Sequence, residues 1–403
     1  MPLKKIDLKT HKVVWTHVLG NSSTTTPVAV GSVIYITAMA SGTSTDQIVY
    51  AIDSTNGHTL WQVTMPSDTQ VQRISITPAM RDMYKQMNQP LPANQKYIDN
   101  TISYTALATP TFANGVLYLE NEGGRITALN ANTGKILWVH EVEDKAMVDG
   151  TRYTAHQLVV VNNVVYGSIH KTLFALNAQN GKGIWTSSID ASQIFSAPIV
   201  SNNIIYTGSS HAGSHTTTNY AAYAYAYNAH TGQQIWTQNL SAQYNIGDPT
   251  LANNMLYLGA QNLSAGTGPG GIDTNYTFFA LDTQSGTIKW QNHIGSPFAT
   301  PLVENNVLYL QQSSTSVQGV EQTPDILHAY DAATGNELWN KNIDGISPFE
   351  LHNGVIYGVG PDHKLSALST KDGSVLWQAI GASTALDKMK IDGGRVYTGT
   401  IEP

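Results

Sequence analysis

Apolar and polar residues alternate in short runs along this chain, and each run stops at an Asn, Gly or Asp pair. Residues Ala197 to Val200 predict one short strand, Asn202-Asn203 a turn, and Ile204 to Tyr206 a second strand. Ala222 to Asn228 predict a third strand, Thr231-Gly232 another turn, and Gln234 to Gln238 a fourth around Trp236. Period-two alternation bounded by turn residues is the signature of antiparallel hairpins. The same phrase returns eight times, and all eight tryptophans sit in it: Trp15, Trp61, Trp138, Trp185, Trp236, Trp290, Trp339 and Trp377. Successive tryptophans are 46, 77, 47, 51, 54, 49 and 38 residues apart. A period near 50 fits four strands with their turns, one blade of a β-propeller.

The repeated positions have physical tasks. Eight residues before each Trp stands Asp7, Asp53, Asn130, Asn177, Asn228, Asp282, Asp331 or Ser369. A side-chain oxygen there accepts turn amides, as in an Asx-turn. A glycine follows four residues later in seven repeats, supplying positive φ; His11 replaces it in the first. The second strand carries a tyrosine in every repeat, from Tyr35 to Tyr397. The Trp is expected on the outer strand, packed across the neighbouring blade.

The chain ends complete the pattern. Residues 3–19 hold only the third and fourth strands of a blade, and 385–403 only the first and second. Joined, they make one blade and close the ring. The expectation is all-β: a single eight-bladed propeller over residues 1–403, each blade four antiparallel strands (A to D, inner to outer), with residues 66–105 inserted.

The phrase Ala128-Leu129-Asn130-Ala131-Asn132-Thr133-Gly134 to Trp138 resembles the tryptophan-docking repeat of the pyrroloquinoline-quinone-like propeller superfamily, and the resemblance covers essentially the whole chain. It implies the fold. It also implies a choice among functions: quinoprotein dehydrogenases, the propeller lipoprotein of outer-membrane barrel assembly, and sensor domains of membrane receptors such as kinases. In size the chain is nearer the lipoprotein than the dehydrogenases. Many of those enzymes stack the quinone between an axial Trp and a disulfide of adjacent cysteines. This chain has no cysteine, and its tryptophans all belong to the repeat. No cofactor and no catalytic residue are therefore expected. A quinoprotein reading would have to use Asp248 or Asp387 as base and Arg152 as a carboxylate clamp.

Composition narrows the setting. Only 12% of residues are charged, about half the usual share, and Thr, Ser, Asn, Gln and Gly fill the surface. The expectation is an extracytoplasmic monomer, with a secretion signal, lipid anchor or membrane helix lying beyond the given sequence. Membrane contact is expected only through such an anchor. The net charge is −7 with no basic cluster, which argues against a nucleic-acid partner.

Function is sought where the repeat breaks. From the strand-B tyrosine to the Asp or Asn, plain blades count 11 or 12 residues, whereas Tyr35, Tyr206, Tyr257 and Tyr309 count 18, 22, 25 and 22. These insertions, with those at 66–105 and 144–154, are B–C and D–A connections, which leave a four-stranded blade by one face. The A–B and C–D turns on the other face stay tight. Long loops on a rigid scaffold tend to carry binding residues, so loops 39–48, 66–105, 208–222, 260–276 and 311–326 mark the expected partner face for a protein, peptide or glycan. Within the insertion, Thr77, Pro78 and the spacing of Met80, Met83, Tyr84 and Met87 predict a helix. Its apolar stripe is expected to dock on the propeller top, against the reading of an exposed partner surface.

At the channel mouth most blades begin strand A with Thr-Pro or Ala-Pro. Four depart from this, bringing Arg152, Tyr153 and His156, then Tyr244 and Asp248, Glu350, and Asp387 with Lys388. They are the expected ligand-binding residues, set against a self-paired polar lining. No metal site is expected: His211 and His215 lie in a Gly/Ser-rich loop with no third ligand in view. Gly266 to Gly271 lack the Lys and helix of a phosphate loop.

Overall fold

A computed structural model describes residues 2–19, 24–40, 46–65, 68–87, 89–104, 107–142, 155–189, 193–211, 221–241, 246–265, 272–294, 300–312, 315–317, 320–323, 325–343, 346, 349–360, 364–380 and 386–400. Eight antiparallel sheets form the ring, each with four blade strands; in blade 4 a fifth, Gln193–Phe195, also pairs with strand B at residues 209–211. Blades 1 to 7 follow the chain, with strands across 28–65, 111–141, 159–188, 199–239, 250–294, 302–342 and 350–380. Blade 8 takes strands A and B from Leu386–Asp392 and Arg395–Thr400, and C and D from Pro2–Asp7 and Val13–Val18. The closing register runs from Leu3↔Gly399 to Asp7↔Arg395, and Arg395 Nη1 meets Asp7 Oδ2 at 2.7 Å.

The core is divided among the joints. Eight apolar clusters each combine residues of two neighbouring blades, such as Ile126, Leu158, Val165 and Phe174 between blades 2 and 3. Both faces of each sheet are buried this way, which is why the B and C strands read as near-continuous apolar runs.

The repeated residues build each joint. Asn228 Oδ1 accepts the amides of His230 and Thr231 at 2.9 and 3.0 Å. That bends the chain so that Gly232 takes φ +70°. The Trp of one blade lies on the glycine of the next: a Cβ on Gly232 would stand 2.5 Å from Cε3 of Trp185. The indole N–H of Trp185 then donates to Ala229 O at 3.0 Å. Strand-B tyrosines add a second lock that the repeat alone does not reveal. Tyr118 Oη donates to Ala178 O at 3.2 Å, the carbonyl that Trp138 Nε1 reaches at 2.9 Å.

The insertions are largely built of strand. Asp68–Ser75 pairs with Tyr97–Tyr104 as a separate two-stranded arm. In blade 5, strands B and C run on together to Ala265↔Ile272, and a small hairpin, Thr315–Val317 with Val320–Thr323, rises from blade 6. The predicted helix is present as Pro78–Gln86, with Met80 N donating to Thr77 Oγ1 at 3.2 Å. Its expected docking is not found. The helix buries no residue, and Met83 and Met87 are 48% and 60% exposed. Arg81 explains the posture: its guanidinium bonds Pro92 O at 2.9 Å and also Gln95 O. The tip is thus folded onto its own arm.

Candidate functional site

Among the described residues, the strand-A lead-ins hold two polar groups. On one side, Asp248 Oδ1 before blade 5 accepts the amide of Ala197 before blade 4, at 3.0 Å. His156, before blade 3, is tied to the same cluster by a bond to the Phe195 backbone and by attraction to Asp248. Burial pulls the imidazole below its ordinary value, while Asp248 and Phe195 oppose that shift. Three consecutive blades are thereby clasped at the mouth. On the other side, Glu350 at the start of strand A in blade 7 faces Lys390 of blade 8, with Nζ to Oε1 3.5 Å. Burial raises the Glu350 carboxyl, and Lys390 partly offsets it.

Four of the predicted mouth residues cannot be joined to this picture. Arg152, Tyr153 and Tyr244 lie outside the described residues, and of Asp387 only the backbone is described, within Leu386–Asp392. His215 and Gly266 to Gly271 also lie outside them. Among the described residues no group of three or more His, Asp or Glu is arranged to hold a metal. Chemically, the mouth offers a largely neutral imidazole, an exposed carboxylate at Asp248 and an ion pair. That set recognises polar groups by hydrogen bonding.

Sequence reasoning overlooked Lys390, which the A-strand alternation of blade 8 turns toward Glu350, and Glu120. Glu120 ends strand B of blade 2, two residues after Tyr118, and is fully buried. Neither carboxyl oxygen has a hydrogen-bond partner. Burial pushes this carboxyl well above its ordinary value. Equivalent side chains elsewhere bond across the joint: Ser168 Oγ donates to Ser196 O at 2.9 Å, and Gln311 Nε2 to Ile346 O at 3.4 Å, although Gln311 Oε1 finds no partner among the described residues. The available signal was a charged residue where blades 1 and 3 carry Thr37 and Ser168.

The profile of the family described as outer membrane protein assembly factor BamB matches residues 3–89, 95–221, 211–323 and 320–401. The chain belongs to that family. Within it, similarity is spread across differently named proteins. A tetrathionate hydrolase of Acidithiobacillus ferrooxidans is 23% identical over 71% of this chain and 60% of its own length. Outer membrane protein assembly factor BamB of Yersinia pestis is 23% identical over 68% of this chain and 66% of its own. The chain thus matches about three fifths to two thirds of these relatives' lengths. The crystal structure of BamB from Moraxella catarrhalis superposes with a TM-score of 0.56 at 14% identity, covering 95% of this chain and all of that one. The propeller architecture is common to both.

Proposed function

We propose that this protein is a non-catalytic extracytoplasmic scaffold that holds a partner protein on its strand-and-loop face, as an assembly factor at an outer membrane does. The observation that carries the reading is the one-sided elaboration of an otherwise regular ring. Arm, long hairpin and small hairpin all leave by the B–C and D–A face, while the opposite face keeps two- and three-residue turns. At the arm tip, exposed Met83 and Met87 give unbranched, polarizable side chains that adapt to varied apolar partners. The channel mouth, with His156, Asp248 and Glu350 and with Arg152, Tyr153, Tyr244 and Asp387 assigned to it from sequence, takes polar groups of the same partner or a glycan on it. The family membership supports a protein partner over a free small molecule.

The test is photo-crosslinking in the native cell from single positions. Adducts are expected from Met83 or Met87 and not from Asn162 or Asn202 on the turn face. Adducts confined to the two asparagines would overturn the reading. A second reading, hydrolysis, is favoured by the similarity to the tetrathionate enzyme. Tetrathionate incubated with purified protein in acid is expected to persist unchanged.

A further inference from the structure

The joints between blades are not equivalent, and the one between blades 6 and 7 departs from the repeat. Trp15, Trp61, Trp138, Trp185, Trp236 and Trp290 reach their carbonyls at 2.9 to 3.1 Å. Trp339 reaches Thr370 O at 3.2 Å. On five other docking glycines, Gly134, Gly181, Gly232, Gly286 and Gly335, a Cβ would meet Cδ2 and Cε3 of the indole first. On Gly373 it would meet Cζ3 of Trp339 and Cβ of Lys341 instead. The indole therefore sits off its usual place. This is also the repeat in which Ser369 stands for the usual Asp or Asn, and its hydroxyl accepts the Lys371 amide at 3.1 Å.

Beside this joint a groove of about 430 Å³ opens on the turn face. That volume lies within the ~300–1,000 Å³ usual for small-molecule sites. Val307, Tyr309, Leu338 and Trp339 supply apolar and aromatic walls, and Glu304 and Lys371 supply charge. The carboxylate is positioned by the backbone, since Gly354 N donates to Glu304 Oε2 at 3.1 Å. No bond to its Oε1 is found among the described residues. Neither Glu304 nor Lys371 has an ion-pair partner among the described residues.

We propose that this groove binds a short zwitterionic peptide, with its ammonium on Glu304 Oε1, its carboxylate on Lys371 and an aliphatic side chain against Leu338 and Trp339. A lone anion would face the fixed Glu304 carboxylate, and a lone cation would face Lys371. A neutral sugar would leave both charges unanswered. Two extended residues span about 7 Å, and the flexible Lys371 stem sets where the second charge is met. The groove lies on the face opposite the arm, so its test stands apart from the scaffold reading.

The experiment is a calorimetric and Trp-fluorescence titration of the whole protein with glycyl-leucine, with the same dipeptide capped at both ends and with maltose. A ligand this small is expected to bind at about 0.1–1 mM, given the per-atom limits on affinity. Capping should weaken it at least tenfold. Glu304→Gln and Lys371→Ala should each weaken it roughly five- to tenfold while the melting curve is unchanged, because the amide oxygen in the first still accepts Gly354 N and the exposed Lys371 charge adds little to folding. Absence of saturation at 10 mM, equal binding of the capped peptide, or unchanged affinity in both variants would each overturn the proposal. Tighter binding of maltose would overturn the ligand class.

Discussion

The two faces of the ring obey different rules. On the turn face the joints repeat one device: an Asx-turn, a docking residue with positive φ and an indole laid on it. Gly57, Gly134, Gly181, Gly232, Gly286, Gly335 and Gly373 share φ values between 67° and 79°. On the other face the connections vary; one is an arm with a helix, one a long hairpin, and others are short turns such as 121–124. The difference separates what holds the ring from what is free to vary. Each joint on the turn face is needed by its two neighbours, so a change there is felt by packed indoles and buried carbonyls. Connections on the far face differ in what they add: Ile343 and Ile346 pack into the joint between blades 6 and 7, whereas the exposed helix Pro78–Gln86 buries no residue.

The largest effect should follow from breaking that rule at a regular joint. Trp236→Ala removes an indole that packs on Gly286 and donates to Thr283 O at 3.0 Å. A cost of ~3–5 kcal/mol is expected, as for other large-to-small core changes. Changes in the blade 5 hairpin at 262–265 should stay within about 0.5 kcal/mol, as surface substitutions usually do. Chemical denaturation of both classes decides the matter, and equal midpoint shifts would mean that the hairpin, too, holds the ring together.

The sequence made one face far more legible than the other. Turn chemistry is local: Asn130, Gly134 and Trp138 state their geometry within nine residues, so the fold, the blade count and the closure by residues 2–7 and 395–400 could be read directly. The arm could be read only in part. Thr77, Pro78 and the methionine spacing gave the helix, but its posture depends on Arg81 meeting Pro92 and Gln95, a contact with no periodic signal. Of the expected channel-mouth residues, Asp248 and Glu350 could be followed to contacts with a neighbouring blade, whereas Arg152, Tyr153 and Tyr244 lie outside the described residues. Lys390 and Glu120 were missed because each takes its meaning from the adjacent blade.

Glu120 breaks the comparison from the other side, as an unsatisfied group inside a joint. Its folded carboxyl lies well above the ordinary value through burial alone, so the folded state keeps a proton that the unfolded chain releases near pH ~4.3. The stability it contributes is complete below the unfolded value and is lost as pH rises toward the folded one. Glu120→Gln keeps the shape and removes the titration. The variant should therefore gain stability over wild type as pH rises from 4 to 8. In acid the two should nearly coincide. Carboxylates held low by the hydroxyls and then the amides of their turns, such as Asp53 with Thr55 and Asp331 with Thr334, weaken both proteins alike in acid and cancel in the difference. Parallel melting curves across the whole range would show that Glu120 finds a partner.

The smallest effect is expected at the seam, and it sharpens the rule most. Between blades 7 and 8 the docking residue is His11, at φ 58°. Its ring stacks on Trp377 with centroids 4.0 Å apart. Trp377 alone among the eight tryptophans has no indole hydrogen bond among the described residues. Two terms oppose each other in His11→Gly. The stack, worth about 0.5–1.5 kcal/mol, is lost, while the left-handed conformation, costing a non-glycine residue roughly 1–2 kcal/mol, is relieved. With no Cβ in the way, Trp377 can also settle onto the turn as the other indoles do. The net change in melting temperature should lie within a degree or two of zero, since 1 kcal/mol shifts even a domain of 150–250 residues by only about 2–4 °C. The reverse change at a regular joint, Gly181→His, drives a Cβ to 2.5 Å from Cε3 of Trp138 and should be costly. A large loss from His11→Gly would mean that the stacked ring itself holds the seam, and that closure follows a different rule from the other seven joints.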